Sequence, residues 1–113
     1  MIKVRIYKNS MNCTEKVIVS GHANYAQHGE DIVCAAVSVL AQTILIGLVE
    51  VLKQNVEYEI SEGYLEFNLE NKNNHDSIKA LLDTFELGIE NLLQDYGSYL
   101  KLIKEEVQYD DKN

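Results

Sequence analysis

The side chains able to do chemistry together lie in one short stretch of the chain. It reads Gly21-His22-Ala23-Asn24-Tyr25-Ala26-Gln27-His28-Gly29-Glu30-Asp31-Ile32-Val33-Cys34-Ala35-Ala36-Val37-Ser38. Cys34 falls where a long apolar helix is expected to begin. Backbone N–H groups at a helix N-terminus favour negative charge, and so favour thiolate over thiol. A nearby carboxylate, here Asp31, works against that; a protonated imidazole, here His22, reverses the balance. A Cys–His pair suffices for attack on an acyl carbon, the thiolate adding and the imidazolium protonating the leaving amine. The N–H groups around Cys34 could hold the oxyanion. Ser38 is one helical turn beyond Cys34 on the same face, placed to hydrogen-bond near the thiol or to the Cys34 carbonyl.

Simpler readings stand beside these. A cysteine followed by Ala-Ala-Val is often an inert core residue, and a histidine after glycine is often a turn residue. Cys13, His22, His28 and Cys34 lack the spacing of a zinc site, so no metal and no cofactor is expected. Cys13 and Cys34 do not form a Cys-x-x-Cys pair. The Asn24–Asp31 loop has no phosphate-cradling glycine pattern, although Gly29 supplies a hinge and Tyr25 a ring to line a pocket.

His22 and Cys34 can meet only if a strand ends at one and a helix begins at the other. The neighbouring sequence supports both. Ile2, Val4 and Ile6 alternate with Lys3, Arg5 and Tyr7 as in a half-buried strand, and Asn9–Asn12 is a turn signal. The β-branched run Lys16–Ser20 is a second strand ending at Gly21-His22. Asp31 is the expected N-cap of a helix over residues 32–53, about 30 Å long at the usual rise. Val56–Ser61 and Tyr64–Glu70 form a hairpin about Glu62-Gly63. Its register sets Ile60 against Leu65 and Tyr58 against Phe67 on one apolar face, and Glu59 against Glu66 on the other. Opposed carboxylates require water or a cation on that second face.

A second helix over 75–96 carries the stripe Ile78, Leu81, Leu82, Phe85, Ile89, Leu92, Leu93 and Tyr96, capped by Asp76 or the preceding asparagines. Gly97 follows as a C′ glycine. Residues 98–105 form a last strand. The order β-β-α-β-β-α-β predicts an α+β fold, a two-layer sandwich with two long helices on one face of a mixed sheet. One domain over 1–107 and a polar tail over 108–113 are expected.

The chain has 113 residues, 46% of them hydrophobic, and a net charge of −8. That balance disfavours direct nucleic-acid binding and suits a basic peptide partner. Two cysteines and no signal-peptide pattern point to a reducing cytoplasm. Residues 32–49 carry no charge. Ser38, Gln42 and Thr43 interrupt the run and acidic residues flank it, so a helix buried on most sides is expected rather than a membrane span.

The motif Gly21-His22-Ala23-x-Tyr25-Ala26-x-x-Gly29-x-Asp31-Ile32-Val33-Cys34-Ala35-Ala36-Val37-Ser38 closely resembles the signature of the ribosomal-processing cysteine protease Prp family. The resemblance covers residues 1 to about 107 and implies a homodimer of two-layer α/β domains. It implies endopeptidase removal of the N-terminal extension from the precursor of large-subunit ribosomal protein number twenty-seven. Cys34 would then be the nucleophile and His22 its base. The loop holding Tyr25 and Gly29 would move to admit substrate, with Asp31 and Ser38 in support. Such a substrate is Lys-bearing and ends in an aromatic pair. From the residues themselves two other classes stay open: a non-catalytic, ribosome-associated module binding a basic peptide, and a metal or redox module using Cys13 and Cys34.

Overall fold

A five-stranded sheet carries the molecule, in the spatial order β3-β4-β2-β1-β5. The computed structural model describes residues 1–27, 31–69 and 75–107. β1 (Ile2–Lys8) pairs antiparallel with β2 (Thr14–Ser20), Val4 facing Val19 and Ile6 facing Val17. The register slips beside Tyr7, which leaves Glu15 as an extra bulged residue on β2. β3 (Glu57–Ser61) and β4 (Tyr64–Asn68) form the expected hairpin, with Ile60 against Leu65 and Tyr58 against Phe67. β4 extends the sheet from β2, and β5 (Leu100–Glu106) lies parallel to β1. That one parallel pair makes the sheet mixed. Strands joined in parallel need a long crossover, here supplied by α2 (Asp76–Tyr96).

The order of elements and the two-layer α+β fold match expectation. Ile2, Val4, Ile6, Val17, Leu65, Phe67 and Leu100 are buried on one face of the sheet. From α1 (Ile32–Ile46) come Val33, Val37, Ala41, Ile44 and Leu45. From α2 come Ile78, Leu82, Phe85 and Ile89, with Leu81, Leu92, Leu93 and Tyr96 packed at the margin.

Five expectations change. α1 does not run evenly to residue 53: its last turn, Gly47–Val51, widens to π-type bonding, with Leu52 N–H donating to the Gly47 carbonyl. The left-handed Lys53 (φ 57°) then ends it. α1 is also buried on one side only. Ile32, Val39 and Ile46, seven residues apart, are 53%, 65% and 56% exposed, because a two-layer domain covers only the sheet-facing side. The residues 32–51 are long and apolar enough to cross a membrane by length and composition alone. The N-cap of α2 is His75, which makes no side-chain cap bond, and Gly97 is right-handed (φ −61°) rather than left-handed. Finally, β3 is an edge strand. Tyr58 and Ile60 share the apolar face with Leu65 and Phe67, yet they lie beyond the helices and stay about half exposed.

On the opposite face Glu59 stands against Glu66, and the cation that this pairing called for is Lys16, 3.4 Å from Glu66. At the β1 C-terminus a second charge cluster ties layers together. Glu86 of α2 lies 2.5 Å from Lys8 and 2.8 Å from Lys104, which also reaches Glu90 at 2.8 Å. Residues 108–113 lie outside the described residues.

Candidate active site

Asp31 organises the site. Its backbone is extended (φ −82°, ψ 101°), as an N-cap requires, and its Oδ1 accepts the N–H groups of Val33 and Cys34, both at 3.0 Å. Cys34 is therefore the third residue of α1, as the sequence predicts. The other oxygen, Oδ2, accepts the N–H of Tyr25 at 2.9 Å and of Ala26 at 3.5 Å. One carboxylate thus caps the helix and ties down the chain leaving β2. Partial desolvation pushes the Asp31 carboxyl up. The N–H groups of Cys34, Tyr25 and Ala26, with a smaller contribution from the Cys34 thiol, outweigh that and hold it below the usual carboxylate range.

The β2 strand delivers the histidine. Gly21 follows it with φ 93°, a left-handed conformation in which an added Cβ would stand 2.4 Å from the Met1 carbonyl oxygen. Only glycine lets the chain leave the sheet there. The Gly21 N–H donates to the Gly63 carbonyl at 2.9 Å, which extends the β2–β4 ladder to the hairpin tip. His22 is exposed, with its ring over Gly63. Ala23 is buried, and its N–H donates to Cys34 Sγ at 3.2 Å.

His22 and Cys34 line one cleft of about 650 Å³ between α1 and the β3–β4 hairpin. Asp31 and Ser38 line it too. Its apolar lining includes Ile2, Val19, Val37, Ala41, Ile60 and Leu65, and Glu62 stands at the hairpin tip. No hydrogen bond joins His22 to Cys34 among the described residues. The thiol is instead held by Ala23 N–H, and Ser38 Oγ accepts from Gln42 Nε2 at 2.9 Å.

Two sequence expectations fall elsewhere. The first-turn N–H groups of Val33 and Cys34 are not free to hold an oxyanion, because Asp31 occupies them. The N–H directed at the Cys34 sulfur is that of Ala23. Tyr25 does not line the cleft. It packs edge-on against Tyr96, 5.8 Å between centroids, and Tyr99, 5.0 Å, where α2 turns into β5. Gly29 and His28 lie outside the described residues. In sequence Gly63 signals only a turn. Its part in the site follows from a contact with His22 that no local pattern encodes.

Chemically, the arrangement offers a partly buried thiol at a helix start, an accessible imidazole lining the same cleft and an apolar trough beside them. The comparisons with known proteins agree with that chemistry. The family model for cysteine protease Prp matches residues 1–101. The ribosomal processing cysteine protease Prp of Staphylococcus aureus is 28% identical over 105 residues, covering 90% of this chain and 97% of that protein. A crystal structure of the S. aureus protease with a covalently linked product peptide superposes with a TM-score of 0.86 at 23% identity, covering 93% of this chain and 100% of that one. The same protease with a substrate peptide gives 0.81 at 21% identity, with the same coverage. A Streptococcus mutans structure gives 0.83 at 27% identity, covering 95% and 96% of the two chains.

Proposed function

This chain belongs to the cysteine protease Prp family, and from that premise we propose that it removes the N-terminal extension of a ribosomal-protein precursor, large-subunit protein number twenty-seven. The observation that carries the reading is the shared cleft of about 650 Å³, which has His22 and Cys34 on its walls. The relative from S. aureus is named for ribosomal processing, and its structures hold substrate and product peptides.

In this reading Cys34 Sγ, as thiolate, attacks the carbonyl carbon of the scissile bond. His22 gives a proton to the departing amine, and the acyl chain stays on sulfur as a thioester. Water then attacks that thioester, with His22 taking the water's proton and the thiolate leaving. The imidazole and thiol are not hydrogen-bonded at rest; such contacts often tighten only when substrate binds. Ala23 N–H, 3.2 Å from Cys34 Sγ, serves as a donor to the oxyanion.

The cleft suits the expected peptide. Ile60, Leu65, Val37 and Ala41 offer apolar surface to an aromatic pair, and Glu62, with the net charge of −8, favours lysines. Asp31 acts as a positioning residue through the helix cap and the Tyr25 and Ala26 N–H groups. Ser38 supports the cleft wall with Gln42. The compartment is the cytoplasm and the assembly a homodimer. The exposed Ile32, Val39 and Ile46 stripe supports the dimer, since its seven-residue spacing matches a helix-to-helix seam.

The test is incubation of the precursor's N-terminal peptide with wild type, Cys34→Ala and His22→Ala. Wild type releases the extension. Cys34→Ala is expected to lose at least ~10³-fold in rate and His22→Ala ~10²–10⁴-fold, with unchanged melting. Undiminished cleavage by either variant would remove that residue from its role.

A further inference from the structure

The hairpin tip is a working part of the site. An ideal Cβ built on Gly63 would stand 2.8 Å from His22 Nε2, too close for any real Cβ, and 3.2 Å from Cε1, a tight contact, so a side chain at 63 would push the imidazole from this position. The imidazole therefore occupies the space that any other residue at 63 would fill with its own side chain. Gly63 is held there by two constraints. Its φ of 71° is left-handed, and its carbonyl accepts the N–H of Gly21, the residue directly before His22. One residue thus anchors the backbone beside the histidine and forms the seat for its ring.

We propose that Gly63 is a positioning residue for His22: the bare glycine at the β3–β4 turn sets where the imidazole stands in the cleft. This rests on the reading of His22 as the base. It goes further in assigning the ring's placement to a residue of the neighbouring hairpin, distant from His22 in the chain. The turn needs a left-handed residue, which Asn could also supply. The ring needs a residue with no Cβ, which only Gly supplies.

The experiment is peptide cleavage by Gly63→Ala, His22→Ala and the double variant. Displacing a general base by about an ångström can cost on the order of 100-fold, so Gly63→Ala is expected to lose about that in kcat. KM should stay within about three-fold, because Val37, Ala41, Ile60 and Leu65 keep their apolar surface in the cleft. In the His22→Ala background the same substitution should change the residual rate little, since no ring remains to misplace. Wild-type kcat in Gly63→Ala, or an equal further loss in the double variant, overturns the inference. Wild-type activity in His22→Ala instead overturns the base assignment itself, which separates the two failures. If Gly63→Ala does not fold, the wild-type protein decides. Nuclear Overhauser contacts between the Gly63 Hα atoms and the His22 ring are expected, and their absence overturns the seat.

Discussion

At one end of the sheet Lys8, Glu86, Lys104 and Glu90 close on one another between β1, β5 and α2, and Asn9 donates to the buried Glu15 at 2.8 Å. At the other end His22, Cys34 and Asp31 surround an open cleft, and the imidazole and thiol do not bond to each other. Both ends join the same strands. The first matches charge with charge and so has little left to offer a ligand. The second ties its reactive groups to backbone: sulfur to Ala23 N–H, carboxylate to four N–H groups, ring to Gly63. Groups held by backbone keep their position while staying available to a peptide. Variants at the two ends should therefore separate stability from activity.

The sharpest separation is Cys34→Ala, whose expected ~10³-fold or greater loss of cleavage comes with a melting curve like that of wild type. Its counterpart is Glu86→Ala. It leaves Lys8 nearly buried without its anion, at an expected cost of about 3 kcal/mol in urea unfolding, with kcat unchanged. Equal damage to activity would mean that the two ends are coupled.

The charged end also sets a pH window. Burial works to raise the Glu86 carboxyl, but Lys104 and Lys8 outweigh it and hold it below its ordinary value. A depressed carboxyl contributes stability above its unfolded pKa, about 4.3, and loses it as pH falls through the lower folded value. Acid unfolding monitored by circular dichroism should show that contribution in wild type, complete above about pH 5, and not in Glu86→Gln.

A smaller effect is expected from Asp31→Asn. Asn caps a helix as well as Asp does, so one oxygen can still accept from Val33 and Cys34. The amide nitrogen cannot accept from Tyr25 and Ala26. Hydrogen exchange should speed at those two amides while α1 stays protected, and cleavage should slow by a few-fold to ten-fold. Smallest in its effect on the fold is Val39→Glu on the exposed side of α1. If the proposed homodimer uses this stripe, sedimentation should shift toward monomer with the secondary structure retained; an unchanged sedimentation profile would overturn that interface.

Much of the scaffold was legible because its signals are local. Alternation on β1, the Glu62-Gly63 turn and the α2 stripe each lie within one or two elements, so period and turn chemistry suffice to read them. The Asp31 cap was legible for the same reason, since its partners lie two and three residues on. The place of the Tyr25 ring outside the cleft is not legible locally, because its ring partners, Tyr96 and Tyr99, are distant in the chain and meet it only when β5 docks beside β1. The π turn at Gly47–Val51 is not legible either, because apolar content does not distinguish a π turn from an α turn.

The chain by itself determined which residues face inward along each element and where the reactive helix starts, because a side chain's direction follows from a backbone period of two or 3.6. It did not determine what lies across from those faces. Two helices are too narrow to cover five strands, and that width left Tyr58 and Ile60 open on β3. Only the pairing of β2 with β4 brought the hairpin tip to Gly21 and set a bare glycine under the His22 ring. Contacts between elements depend on how layers stack, and stacking is decided by the shape of the whole domain rather than by any one stretch of it.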